Sequence, residues 1–169
     1  MENTELKNAF GRLKEGNTEA FEEIYNSLKK PVYTVILRYL GVKEDAEDVT
    51  QEVFLKLFRA PPGEEVKNIR AYIFASARNA AMDKLRERAS EGEKEELTDT
   101  LPYGEDDAAE RMDVTAAISR MSDSEREAVS LHIYAELTFR EMAEVTGVPM
   151  GTLLWRYNRA ISKLRAYLS

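Results

Sequence analysis

The C-terminal end of the chain carries side chains suited to contact nucleic acid. At helical spacing, one face of residues 150–169 would present a hydroxyl, an indole and three cations. Cations on an exposed helix face can bind phosphates or the edges of guanine in a major groove. The indole could meet a thymine methyl or a protein surface, but we expect it to tuck back onto its own domain. The residues of this face are Thr152, Trp155, Arg156, Arg159 and Lys163.

A second polar face lies within residues 68–88. An aromatic ring can stack on an unstacked base and an amide can read its edge, so Tyr72 beside Asn79 fits a single strand. Residues 67–90 are also basic, with a net charge of +4. The alternative is a solvated helix face with Tyr72 half buried, and the residues by themselves favour this alternative.

Side chains for covalent chemistry are sparse. The absence of cysteine excludes a disulfide scaffold and a thiolate metal site, and the single histidine, His132, excludes histidine-rich metal sites. We expect His132 to be structural because its neighbours are apolar. Acidic pairs such as Glu22–Glu23 and Asp106–Asp107 come with no glycine-rich phosphate loop and no nucleophile–base pattern. We therefore expect no enzymatic activity and no cofactor or metal.

Charge is unevenly distributed along the chain. The formal net charge is −7, yet residues 91–113 alone carry ten acidic and two basic residues. A low overall isoelectric point therefore says little about partners. No apolar run approaches the about 20 residues that a membrane span needs, and no leader segment is recognisable. We expect a cytoplasmic protein that does not insert into membranes.

Helical periodicity dominates, and the sequence predicts an all-α fold. Breaks around Gly16 and at Pro61–Gly63 delimit the first helices. Pro31 is expected in the first turn of a helix, where its missing N–H costs nothing. Asn68 is expected to cap a long helix that runs to about Arg88.

The C-terminal part has a helix-turn-helix pattern. Ser122–Glu125 and Thr138–Glu141 both have the spacing of a capping box, which marks the start of a helix. The second box would begin a short helix that Gly147 ends, and Pro149 would open the last helix. A short helix, a turn and a second helix in this order are typical of DNA-binding domains but also of other helical hairpins.

Periodicity fades between residues 90 and 113. This acidic stretch is expected to be a flexible linker that self-repulsion keeps extended. We therefore predict two small helical domains, 1–89 and 114–169, joined by the acidic linker 90–113, with the helix-turn-helix in the second domain.

Three runs of the sequence resemble one protein family. They are DAEDVTQEVFLKLFRA at 45–60, NIRAYIFASARNAAMDKLRER at 68–88 and LTFREMAEVTGVPMGTLLWRYNRAISKLR at 137–165. In this order and spacing they resemble the small, two-domain bacterial RNA polymerase sigma factors of the extracytoplasmic-function group. The resemblance covers nearly the whole chain from GNTEAFEEIY onward, except the linker.

The resemblance implies that the chain binds core RNA polymerase and directs promoter-specific initiation, with core RNA polymerase, promoter DNA and an anti-sigma factor as partners. The first domain would dock on the polymerase and open the minus-ten element, and the second would read the minus-thirty-five element. The residues implied for polymerase docking are Asp45, Glu47, Asp48, Gln51, Glu52 and Leu55. Those implied for the minus-ten surface are Tyr72, Arg78, Asn79, Asp83, Arg86 and Arg88.

One position departs from the family pattern. Where the family usually has a polar or basic pair after the GT of the last helix, this chain has Leu154–Trp155. Two expected polar DNA contacts are thus replaced by apolar groups, while Arg156 and Arg159 remain. This leaves open an alternative: a sigma-like regulatory or protein-interaction module whose last helix binds protein.

Overall fold

The computed structural model describes residues 1–92 and 108–168, with side chains for 1–92 and 114–168. In this part of the chain the regular structure is helical throughout, as predicted. The acidic linker predicted for 90–113 lies mostly outside the described residues. The helices are α1 (Asn3–Lys14), α2 (Glu19–Leu40), α3 (Lys43–Arg59), α4 (Ile69–Glu91), α5 (Ala108–Ser119), α6 (Asp123–Val129), α7 (Phe139–Thr146) and α8 (Met150–Leu168), with a π-helical turn Ser130–Tyr134 after α6.

The first four helices pack around α2. This helix contacts α1, α3 and α4, and each neighbour contributes apolar side chains at three- and four-residue steps. Burying such side chains contributes about 1.5–3 kcal/mol each. The core includes Leu6, Phe10, Ile24, Leu28, Val49, Val53, Phe54, Ile73, Phe74 and Ala77.

Pro31 does not begin a helix, so this prediction is wrong. α2 runs through Pro31 without a break, although a proline inside a helix costs about 3 kcal/mol. Burial offsets that cost, because Val32, Val35 and Ile36 in the next turns are fully buried. α2 packs against α6 and the π-helical turn as well as against α1, α3 and α4.

The predicted caps are confirmed. Asn68, Ser122 and Thr138 each accept a hydrogen bond from the backbone N–H three residues further on, at the starts of α4, α6 and α7. Gly147 ends α7 at φ 75°, in the left-handed region that favours glycine. α8 then begins at Met150, directly after Pro149.

Phe58 and Leu168 continue the apolar helical spacing of α3 and α8, so periodicity predicts both in the core, yet both are exposed. Phe58 is 41% exposed one residue before the end of α3, with its ring edge-on to that of Phe21. Leu168 is 50% exposed at the last residue of α8. End positions of a helix have fewer neighbours, which periodicity alone does not reveal.

The C-terminal helices share the core of the N-terminal helices. Leu131, Leu137, Met142 and Leu153 belong to the same buried cluster as the side chains of α1–α4. A smaller cluster around Ile118 joins α5, α6 and α8. In this arrangement α7 lies on α4, and the π-helical turn lies on α2.

Candidate nucleic-acid and protein interfaces

α3 turns an acidic face to solvent. Four of its apolar side chains are buried in the core: Val49, Val53, Phe54 and Leu57. The opposite face is exposed and consists of Glu47, Asp48, Gln51, Glu52 and Leu55. Leu55 is 47% exposed, which places an apolar side chain among carboxylates. Such a surface suits a basic protein partner with an apolar anchor. We call these five residues the α3 face.

Asp45, the sixth residue of the predicted docking set, is half-buried and paired. Its Oδ2 accepts a 2.9 Å hydrogen bond from Nε of Arg88, and Nη2 of the same guanidinium contacts it as well. Nη1 of Arg88 donates to the carbonyl of Leu40 at 2.8 Å. The structure thus places a predicted docking residue and a predicted DNA contact against each other. Together they tie the start of α3 to the end of α4.

Replacing Arg88 by Ala should lower the free energy of unfolding by about 3 kcal/mol, because it leaves the Asp45 carboxylate and the Leu40 carbonyl without their donor. Arg86 is a matched control, since it pairs only along the helix surface with the exposed Asp83. Replacing Arg86 by Ala should cost less than about 1 kcal/mol. Urea unfolding followed by circular dichroism measures both, and equal midpoints would show that the Asp45 pair contributes no more than a surface pair.

The polar face of α4 is divided between solvent and the C-terminal helices. Asn79, Asp83 and Arg86 are exposed. Tyr72 is half-buried and lines a cleft of about 490 Å³ between α4 and α7. Arg78 is also half-buried. The C-terminal part of this face, with Asn79, Asp83 and Arg86, is therefore exposed to solvent. The part with Tyr72 and Arg78 is partly covered by the C-terminal helices.

Arg78 is bound to the C-terminal half of the chain. Its Nε donates to Oε2 of Glu127 at 2.9 Å, and the hydroxyl of Tyr39 donates to the same oxygen at 2.7 Å. The side chain of Glu127 is only 11% exposed. Burial and the neighbouring Glu127 raise the pKa of Tyr39 well above its ordinary value, so the hydroxyl keeps its proton.

Two further polar contacts cross between the halves. Nδ2 of Asn68 donates to Oε2 of Glu141 at 2.5 Å, and Nε of Arg70 donates to the carbonyl of Ala135 at 2.7 Å. Arg70 also lies 3.6 Å from the exposed Glu136. We call these contacts, together with the pairing of Arg78 and Tyr39 with Glu127, the polar seam between the two halves of the chain. In this arrangement the Nε–H of Arg78 is engaged by Glu127, and the side chain of Arg78 is 23% exposed.

α8 displays most of its predicted nucleic-acid face. Trp155, Arg159 and Lys163 are exposed, and Thr152 and Arg156 are half-buried. The expectation that Trp155 tucks onto its domain is wrong, since its side chain is 60% exposed. The buried residues of α8, such as Leu153 and Ala160, lie on the other side of the helix. Trp155 therefore lies on the solvent side of α8.

Glu125 also belongs to this site, although its spacing from Ser122 predicts only a part in a helix cap. Its Oε1 accepts hydrogen bonds from the Ser122 hydroxyl at 2.8 Å and from Nζ of Lys163 at 2.7 Å. Its Oε2 lies 3.8 Å from Nε of Arg159. Burial raises the pKa of Glu125, but the hydrogen bonds from Lys163 and Ser122 outweigh burial and hold this pKa below its ordinary value. The carboxylate is therefore ionised beside two cations of the predicted DNA face.

His132 has the structural surroundings that were expected. Its ring stacks on Phe139 at 4.4 Å between centroids, and its Nδ1 lies 2.9 Å from the carbonyl of Leu137. Within residues 1–92 and 114–168, no three acidic or histidine side chains gather in a metal-binding group. Over the same part of the chain, the helices are too short or too polar for any of them to cross a membrane.

Comparison with known sequences identifies relatives along most of the chain. Residues 24–91 match Sigma-70 region 2. The chain is 30% identical over 160 residues to a probable RNA polymerase sigma-C factor of Mycobacterium bovis, an alignment that covers 89% of this chain and 84% of that protein. It is 25% identical to the ECF RNA polymerase sigma factor SigW of Bacillus subtilis, with 96% of both chains covered.

Solved structures show the same fold. The sigma factor RpoE of Bartonella quintana, solved in complex with the anti-sigma factor NepR, superposes with a TM-score of 0.74 at 21% identity, covering 88% of this chain and 96% of RpoE. CnrH, solved with the cytosolic domain of CnrY, gives a TM-score of 0.68 at 21% identity over 95% of this chain and 94% of CnrH. The sequence relatives and the shared fold show that the chain belongs to the extracytoplasmic-function (ECF) group of sigma-70 family RNA polymerase sigma factors.

Proposed function

We propose that this chain docks on core RNA polymerase through the α3 face and directs it to promoters that α4 and α8 read. The observation that carries the docking surface is the α3 face itself, an exposed helix side with three carboxylates, a glutamine and an exposed leucine. Complementary charge speeds encounter with a basic partner, and an apolar side chain within it adds contact area.

The proposal divides this work between two domains. We assign residues 1–89 to docking and to the minus-ten element, 114–169 to the minus-thirty-five element, and 90–113 to the linker. The seam has to open before Arg78 can reach DNA, because its guanidinium is bound to Glu127. The hydrogen bonds of the seam come from α2, α4 and Asn68 on the N-terminal side, so the α3 face is accessible while the seam is closed. Polymerase docking can therefore precede opening.

The proposal requires no covalent chemistry from this chain. Nucleotide addition belongs to core RNA polymerase, and the sigma factor supplies binding and DNA recognition. Its place of action is the cytoplasm, where core polymerase transcribes. We add an anti-sigma factor as a further partner, supported by the similar fold of RpoE in its complex with NepR.

Transcription of genomic DNA in vitro tests the proposal. Core RNA polymerase is supplied with the chain or left alone, and the transcript starts are mapped by sequencing. We expect a small set of starts that require the chain and share two upstream sequence elements. Starts identical to those of core polymerase alone, in a sample where the chain is bound to the polymerase, would contradict promoter direction.

A second candidate function is protein docking by α8, and it is favoured by the exposure of Leu154 at 44% and Trp155 at 60%. In that case α8 would bind a protein partner and contribute no base contact. Arg159→Ala separates the two functions in the same transcription experiment. Loss of the specific starts would contradict the protein-docking function, and unchanged starts would support it.

A further inference from the structure

The guanidinium of Arg159 lies near two groups that attract it. The indole of Trp155 is one, with 5.4 Å between the guanidinium carbon and the ring centroid. The other is Glu125, whose Oε2 lies 3.8 Å from Nε of Arg159. Each contact is attractive, the first through the ring quadrupole and the second through opposite charge.

The carboxylate of Glu125 is buried and hydrogen-bonded within the C-terminal half of the chain. Glu125 is 4% exposed, and its Oε1 is held by Ser122 and Lys163. Its Oε2 is buried and accepts no hydrogen bond from the described part of the chain. The charge on this oxygen is therefore not taken up by a hydrogen bond within the described part of the chain, and Nε of Arg159 lies 3.8 Å from it.

Lys163 and Arg159, the two cations near Glu125, differ in which of their hydrogen-bond donors remain free to contact DNA. Nζ of Lys163 is bonded to Oε1 at 2.7 Å. Arg159 makes no hydrogen bond to the carboxylate at 3.8 Å, so its donors stay free to point outward, and its side chain is 55% exposed. A planar guanidinium can donate two hydrogen bonds to O6 and N7 of one guanine, whereas an ammonium binds as a point charge.

We propose that Glu125 and Trp155 are positioning residues, which hold the guanidinium of Arg159 in the orientation in which α8 presents it to a base edge of the promoter. This inference rests on the proposed function, in which Arg159 belongs to the DNA face of α8, and adds which residues orient its guanidinium. A side chain held in its bound orientation loses less conformational entropy on binding. In this proposal the exposed Trp155 acts by orienting the guanidinium of Arg159.

The experiment uses the full chain with core RNA polymerase on the promoters found by transcript mapping. Each base pair of the upstream element is varied in turn, and the relative affinity of the holoenzyme for the four bases is measured by competition. We expect wild type to prefer guanine at one position by about tenfold, the size of one bidentate contact. Arg159→Ala should abolish that preference.

Glu125→Gln and Trp155→Ala test the positioning residues. Glutamine keeps the capping-box contact through its oxygen but turns an amide NH₂ toward Arg159, so it removes the attraction without removing the cap. Trp155→Ala changes an exposed side chain and carries little risk of misfolding. We expect both to reduce the guanine preference to about threefold or less, with Trp155→Phe retaining more of it because a ring remains. Glu144→Gln, an exposed acid on α7, is the matched control and should change nothing.

The outcomes separate this inference from the proposed function. If Glu125→Gln and Trp155→Ala weaken binding equally for all four bases, the two residues support structure or phosphate contact, and the inference is overturned. If Arg159→Ala keeps the guanine preference while wild type still initiates at promoters, Arg159 is not the reader, and the proposed function survives. If wild type shows no promoter-specific initiation, both the proposed function and this inference are contradicted.

Discussion

Replacing Asp48 by Arg weakens binding of the chain to core RNA polymerase by about 100-fold or more. The change puts a cation into an acidic face, and like charges brought together at an interface cost several kcal/mol. A loss of about 2.8 kcal/mol corresponds to a 100-fold weaker complex. The fold should be unaffected because Asp48 is exposed. A labelled chain titrated with core polymerase, followed by fluorescence anisotropy, measures the dissociation constant.

Two companion variants define the docking surface. Gln51→Arg lies one turn further along the α3 face and should weaken binding in the same way, because it also adds a cation there. Glu64→Arg makes the same change of charge in the exposed segment between α3 and α4 and should leave the dissociation constant within about threefold of wild type. Wild-type affinity in both Asp48→Arg and Gln51→Arg would show that the polymerase binds elsewhere.

Replacing Glu127 by Arg separates the N-terminal and C-terminal halves of the free protein. The new guanidinium would face Arg78 in a site where the native side chain is 11% exposed, so the repulsion is weakly screened and costs about 3 kcal/mol or more. Tyr39 also loses the acceptor of its hydrogen bond. Small-angle X-ray scattering should show a larger radius of gyration and maximum dimension than wild type. Circular dichroism should show unchanged helix content.

Two variants control for this result. Glu136→Arg makes the same change of charge at a seam residue whose side chain is 78% exposed, and it should leave the protein compact. The double variant Arg78→Glu, Glu127→Arg restores an opposite-charge pair and should recover much of the compact form. An unchanged scattering profile for Glu127→Arg alone would mean that the shared apolar core, not the Arg78–Glu127 pair, determines the closed arrangement.

Local features of the fold could be predicted from the sequence. The helix starts at Asn68, Ser122 and Thr138 follow from side chains that hydrogen-bond to backbone only a few residues away. The α3 face follows from periodicity, because the buried stripe defines the side that is left over. Both depend on residues within about two helical turns of one another, which is the range over which a sequence pattern is informative.

Contacts between distant segments could not be predicted in this way. Arg78 and Glu127 are 49 positions apart, and Lys163 and Glu125 are 38 apart. Nothing in the local pattern of either partner specifies the other. Glu125 in addition has a local role as part of a capping box, which accounts for its residue type and hides its contact with α8. The prediction for Pro31 is wrong because helix propensity is local, whereas the burial that offsets the cost of the proline depends on the packing of the whole of α2.

The central claim, that the chain is a sigma factor docking through the α3 face, is tested most directly by size-exclusion chromatography with core RNA polymerase from its own organism. Wild type and Asp48→Arg are run side by side with the same polymerase. We predict that wild type elutes with the polymerase and that Asp48→Arg elutes alone at the volume of the free chain. Elution of the wild-type chain apart from its own core polymerase would contradict the claim.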